Sequence, residues 1–155
     1  LNVIDDAAVR RAFAALIANA KRYQADARIS GVLVQAMVQG DVELVIGLKR
    51  DPAFGPVIMV GLGGVLIEVF KDAVFRAAPV TEGEALRMLD ELKSKVILDG
   101  VRGKAAVDKA AVASMISAVS RFGAAAGPRL AELDLNPVLA GAQGVAAVDW
   151  LMVLD

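Results

Sequence analysis

Apolar and polar positions change period twice along this chain. Val9, Phe13, Leu16, Ile17, Ala20 and Tyr23 fall on one helical face, with Arg10, Arg11 and Lys21 off it. Asp5 or Asp6 can cap the first turn by accepting from its free amides. That spacing predicts a helix over roughly residues 6 to 22. From Ile29 the period shortens toward two. Gly31-Val-Leu-Val-Gln-Ala-Met-Val38 and Val42-Glu-Leu-Val-Ile-Gly-Leu48 are β-rich runs joined by Gln39-Gly40-Asp41, the composition of an antiparallel hairpin. Pro56-Val-Ile-Met-Val60 predicts a third strand. Beyond the cluster Gly61-Leu-Gly-Gly64, Val65 to Phe70 predicts a fourth.

Helical spacing then returns. Thr81-Glu-Gly-Glu84 has the form of a capping box, and Leu86, Leu89 and Leu92 follow it on a stripe. Asp108 is placed to cap another helix, whose buried face carries Val112, Met115, Ile116 and Val119 and which ends over Gly123 to Pro128. Two last apolar-alternating segments, Leu130 to Pro137 and Val145 to Met152, flank the turn at Gly141-Ala-Gln-Gly144 and predict a second hairpin. Consecutive strands on tight connections favour an antiparallel sheet over βαβ crossovers, with helices packed on it: an α+β fold.

Composition narrows the chemistry. With 155 residues, 57% hydrophobic and 23% charged, the chain can bury one sizeable core. Seventeen basic against eighteen acidic residues give a net charge of −1, which offers no electrostatic case for nucleic acid or an anionic membrane. The mean hydropathy of +0.57 invites a membrane reading. Yet the longest charge-free run, Pro52 to Ile67, holds two prolines and four glycines in sixteen residues, short of the about 20 apolar residues of a spanning helix. A soluble, cytoplasmic chain is expected, and the start at Leu1 suggests a piece of something longer. Cysteine and histidine are both absent. Any metal must therefore be held by oxygen, which favours magnesium, manganese or calcium.

The last hairpin holds the most suggestive constellation. Asp134 and Asn136 alternate with Leu133 and Leu135, so on a strand both face the same way. Pairing through the turn can bring Asp149 beside them. Two carboxylates and an amide oxygen suit a hard divalent cation shared with phosphate oxygens, although the spacing alone fits a solvent-facing polar stripe equally well. Gly61, Gly63 and Gly64 would let backbone amides approach a phosphate, or simply form a tight turn. They lack the Gly-Lys-Ser/Thr of a Walker loop. Lys49, Arg50, Arg76 and Arg102 are candidate phosphate neighbours, against the plainer reading that each is solvated.

Several blocks share an order with a known family. Gly31-Val-Leu-Val-Gln35, Glu43-Leu-Val-Ile-Gly47, Asp51-Pro-Ala-Phe-Gly-Pro-Val-Ile-Met59, Gly61-Leu-Gly-Gly64, Glu68-Val-Phe-Lys-Asp72, Asp99-Gly-Val-Arg-Gly103, Glu132-Leu-Asp-Leu-Asn-Pro-Val138 and Gly144-Val-Ala-Ala-Val-Asp149 span nearly the whole chain. Together they resemble the ATP-grasp domain of the NDP-forming acyl-CoA synthetases, ADP-forming acetate–CoA ligases among them, and of the succinyl-CoA synthetase β subunit. The resemblance implies the larger ATP-grasp subdomain over residues 31–155, with 1–30 a helical remnant of the smaller lobe. It implies magnesium on Asp134, Asn136 and Asp149, with ATP or ADP in the adjoining cleft. The adenine edge would lie on the backbone of Gln35, Ala36, Met37 and Val38, and Glu43 near the ribose. Arg76 and Arg102 are preferred among the basic residues because they lie in or beside these blocks.

In the intact enzyme the implied reaction is carboxylate + CoA + ATP interconverting with acyl-CoA + ADP + phosphate, through an acyl phosphate and a phosphohistidine. The small lobe with its Lys-containing glycine-rich segment, the CoA-binding and ligase domains and the histidine lie outside this sequence. The chain alone is expected to fold without turnover, with CoA bound elsewhere. Apolar surface that would meet the missing lobe could drive self-association. The alternative is a nucleotide- or ligand-sensing regulatory module of a protein acetyltransferase fusion.

Overall fold

The structure, a computed structural model, describes residues 3–64, 72–101 and 103–155. Its contacts divide it into two compact units, Leu1–Met37 and Val38–Asp155. The first is built on helix α1, Asp6–Tyr23, whose N-cap Asp5 accepts from the Ala8 amide at 2.6 Å. None of the α1 side chains is buried.

The second unit holds the sheet. Its strands are β1 (Val42–Asp51), β2 (Gly55–Leu62), β3 (Ala73–Ala77), β4 (Leu130–Gly141), β5 (Gly144–Ala147) and β6 (Trp150–Leu154). Every pairing is antiparallel, in the order β3-β2-β1-β4-β5, with β6 also on β4. Helices α2 (Glu82–Glu91) and α3 (Lys109–Ala125) lie between β3 and β4 in sequence. The expected antiparallel α+β architecture is thus what the chain adopts.

Strand alternation builds the core. Leu44, Ile46 and Leu48 of β1 register with Leu62, Val60 and Ile58 of β2. All six pack in one buried cluster with Ala85, Met88 and Leu89 of α2 and Val112, Ala113, Ile116 and Val119 of α3. One sheet face therefore meets helices, and the alternate residues form the other face. Close approach is arranged by Gly123 of α3, where an added Cβ would stand 2.0 Å from Leu48 Cδ1. Both predicted caps are present: Thr81 Oγ1 accepts from the Glu84 amide at 3.2 Å, and Asp108 Oδ1 accepts from the Ala111 amide at 2.9 Å. The capping box closes on one side only, because the Glu84 carboxylate turns to Arg76 and Arg87.

Three sequence expectations need amendment. The 31–38 strand and its hairpin with β1 do not form; residues 27–40 carry no regular secondary structure. Both edges of β1 are taken, by β2 and β4, so no ladder remains to satisfy the backbone of a third neighbour. Ala73–Ala77 forms a strand that the pattern did not single out, and the predicted strand from Val65 to Phe70 lies outside the described residues. The last hairpin is longer and broken: β5 pairs with residues 138–141 of β4 and β6 with 130–135.

Candidate nucleotide and metal site

The sheet has a second face, turned away from the core cluster of α2 and α3. A basin of about 550 Å³ lies over it, floored by Val45 and Gly47 of β1, Val57 and Met59 of β2, and Phe75 of β3. Lys49, Glu132 and Asp134 form its polar side. Its apolar floor beside a few polar groups is the composition expected of a small-molecule site.

Register explains how the polar side is assembled. Asp134 of β4 lies opposite Gly47, and Glu132 opposite Lys49. A Cβ added to Gly47 would crowd Met59 Cε at 3.3 Å and stand in ordinary contact with Asp134 Oδ1 at 3.7 Å, so the carboxylate lies directly beside the floor here. On the other edge of β4, the Asn136 amide donates to the Asp149 carbonyl at 3.2 Å, and Val148 donates to the Pro137 carbonyl at 3.1 Å. These two bonds bridge the gap between β5 and β6 at the cis Asn136–Pro137 bond. Asn136 and Asp149 are therefore cross-strand neighbours, with Asp134 two residues along β4.

Burial pushes the Asp134 carboxyl above its ordinary range, and the negative charge of Glu132 adds to the shift. A cation at this point would favour the charged form. Asn136 and Asp149 are exposed, and Asp149 Oδ1 accepts from the Trp150 amide at 2.8 Å. Among the described residues there is no cluster of three or more carboxylate, imidazole or thiolate groups around one point. This stretch of β4 and its neighbour thus carry two carboxylates and a side-chain amide, with the Asn136 and Asp149 backbones paired; hard oxygen groups of this kind suit magnesium.

Glu43 is exposed on β1, and its carbonyl accepts from the Gly63 amide at 2.7 Å. An added Cβ at Gly64, whose φ is +65°, would stand 3.4 Å from Glu43 Oε2. Gly61 lies within the ladder between Val45 and Ala73. The glycines thus bring this turn close to Glu43, with the Gly63 amide already engaged. Gln35, Ala36 and Met37 belong to the first unit and Val38 to the second. Arg76 registers with core residue Ile58, so it projects from the helix-covered face, where it pairs with Glu84 (2.7 Å) and Glu91 of α2. That places it on the opposite side of the sheet from Asp134. Arg102 lies outside the described residues. The basin floor, Val57, Met59 and Phe75, escaped the sequence reading. Its signal was there in the alternation of β1 and β2, but apolar residues on a strand read first as core.

An antiparallel sheet with helices on one face and a carboxylate-edged basin on the other defines an α+β domain with a small-molecule-sized site. The chain belongs to the ATP-grasp domain family, whose model matches residues 1–154. It is 40% identical over 154 residues to the acetate–CoA ligase [ADP-forming] I subunit beta of Pyrococcus furiosus, covering 99% of this chain and 66% of that one. It is 47% identical over 146 residues to acetate–CoA ligase [ADP-forming] I of Archaeoglobus fulgidus, covering 94% of this chain and 21% of that protein. Among solved structures, the dinucleotide-forming acetyl-coenzyme A synthetase 1 of Ca. Korarchaeum cryptofilum matches over 100% of this chain and 67% of its own. It does so with a TM-score of 0.89 and 42% identity in a complex with coenzyme A and Ca-AMPCP, and 0.86 and 39% in one with coenzyme A and Mg-AMPPCP. The chain therefore spans about a fifth of the single-chain ligase and about two thirds of the β subunit.

Proposed function

We propose that this chain forms one side of the magnesium–nucleotide site of an ADP-forming acyl-CoA synthetase. The observation that carries the reading is Asp134: a carboxylate at the side of an apolar-floored basin, held by burial above its ordinary pKa, two residues along β4 from Asn136, whose backbone pairs with that of Asp149. The relatives support it, being ADP-forming CoA ligases, and nucleotide analogues with magnesium or calcium are bound in the acetyl-coenzyme A synthetase 1 complexes.

In this reading ATP or ADP lies over the basin, and Asp134, Asn136 and Asp149 hold magnesium. The ion would neutralise charge on the phosphoryl oxygens and orient them for transfer. The chain's own contributions are binding and positioning. Val45, Val57, Met59 and Phe75 present an apolar floor to the nucleotide, while the β4 edge fixes where its phosphates point. Glu43, beside the Gly63-Gly64 turn, is assigned to a ribose hydroxyl or a nearby polar atom of the nucleotide.

The overall reaction, carboxylate + CoA + ATP to acyl-CoA + ADP + phosphate, needs further parts: a small lobe, to which residues 1–30 are assigned, and CoA-binding and ligase domains. The greater length of the relatives supports such partners. Among the described residues no helix is long and apolar enough to cross a membrane, and a cytoplasmic setting goes with the assignment.

Trp150, the single tryptophan of the chain, adjoins Asp149 and is exposed, which makes it a built-in reporter. Manganese added with ATP is expected to quench its fluorescence saturably, and Asp149→Asn to abolish the saturable part. Quenching that is linear in manganese and indifferent to Asp149→Asn would count against the site.

A further inference from the structure

The basin's basic groups are Lys49 and Arg50, and they are committed very differently. The Arg50 guanidinium donates to the Leu130 carbonyl at 3.3 Å and to the Gly127 carbonyl, so it ties β1 to the start of β4. Among the described residues Lys49 pairs with Glu132, at 3.8 Å, and its side chain is 78% exposed. An ion pair so exposed is weak and readily exchanged. Lys49 belongs to the open face, two residues along β1 from Gly47 and hence beside the position of Asp134.

Charge across the basin gives the lysine a task. Taking Lys49, Arg50, Asp51, Glu132 and Asp134 together, the lining carries a formal charge of −1. A divalent cation at Asp134 would bring the whole to +1, attractive to a polyphosphate. Without Lys49 the same cation would leave it neutral. Resting on the magnesium–nucleotide reading above, we propose that Lys49 is a phosphate ligand of this site: its ammonium group leaves Glu132 and binds the terminal phosphate of ATP on the side away from the metal. Glu132 parks the lysine over the basin while nucleotide is absent.

This assignment decides, for a residue at a strand end, between the phosphate neighbour and the solvated surface charge that its sequence offers. Its consequences differ from those of a structural lysine. Replacing Lys49 by Met keeps the stem over the floor and removes only the charge. Lys49→Met is expected to weaken magnesium–ATP about tenfold, the loss of one charge-assisted hydrogen bond. AMP and adenosine, which lack the terminal phosphates, should bind as they do to the unmodified chain. Lys49→Arg should restore most of the ATP affinity. Glu132→Gln, which frees the lysine, should tighten ATP binding.

The experiment is calorimetric titration of the unmodified chain and the three variants with magnesium–ATP, AMP and adenosine, each at two salt concentrations. Selective loss of ATP affinity in Lys49→Met, with a shallower salt dependence, supports the proposal. Equal ATP affinity in the unmodified chain and Lys49→Met overturns it while leaving the magnesium–nucleotide reading standing. Absence of nucleotide binding by the unmodified chain overturns that reading and the role of Lys49 with it.

Discussion

Two aspartates in this molecule are held in opposite ways. Burial alone would push the Asp72 carboxyl up, but the Lys93 and Ser94 amides donate to it at 2.9 and 2.8 Å and, with the Lys93 charge, leave it below the ordinary range. It fastens the chain just after α2 to the residue that precedes β3. A depressed carboxyl contributes stability that is complete above the unfolded value, about 4, and is lost as pH falls through the folded one. Asp72→Ala is expected to cost about 2–3 kcal/mol at neutral pH. The difference between the two proteins in denaturant melts should shrink as pH falls below the ordinary carboxyl range, through the depressed folded-state value.

Asp134 runs the other way. Its raised pKa means that its ionised form opposes folding at neutral pH, an effect relieved as pH falls through the folded value. Asp134→Asn is expected to raise the thermal midpoint of the metal-free chain while removing magnesium-dependent nucleotide binding. A fall in the midpoint would mark Asp134 as a structural carboxylate. Sequence brought Asp134, Asn136 and Asp149 forward as candidates because oxygen-ligand chemistry is carried by residue type and a period of two. It could not show that Arg76 faces α2, since that depends on which face of β3 the helices cover.

At the scale of elements, the α3–β1 crossing depends on a glycine that looks like a helix terminator in sequence. Gly123 is inside α3, against Leu48, a side chain only 1% exposed. Gly123→Ala must displace Leu48 or the helix and is expected to cost about 1–3 kcal/mol. Gly83, in the first turn of α2, meets only Thr81 Oγ1 at 3.9 Å. Gly83→Ala is therefore expected to be neutral or to stabilise by up to about 1 kcal/mol. Chemical denaturation of the pair checks both signs. Helices were legible from caps and periodicity: α1, α2 and α3 lie close to where Asp5, Thr81 and Asp108 start them. The 31–38 strand was misjudged because Val-Leu-Val satisfies β-propensity locally, while a ladder needs a free edge that only tertiary structure supplies.

At the scale of the whole molecule, the buried core lies entirely within the second unit, from Val42 to Ala140. Residues 38–155 alone should retain the cooperative unfolding transition of the full chain. An isolated α1 of 18 residues is near the length at which helices are marginal in water. Hydrogen exchange should find α1 amides protected far less than those of β1. Equal protection would show that α1 belongs to the same cooperative unit.

The central claim is that this chain builds a metal-dependent nucleotide half-site. Its most direct test is calorimetric titration of ATP into the chain with and without magnesium, repeated on the Asp134→Asn/Asp149→Asn double variant. The account predicts binding of about millimolar strength, roughly −4 kcal/mol, that requires magnesium and disappears in the double variant. Binding of equal strength with and without magnesium, or binding that survives loss of both carboxylates, would contradict it.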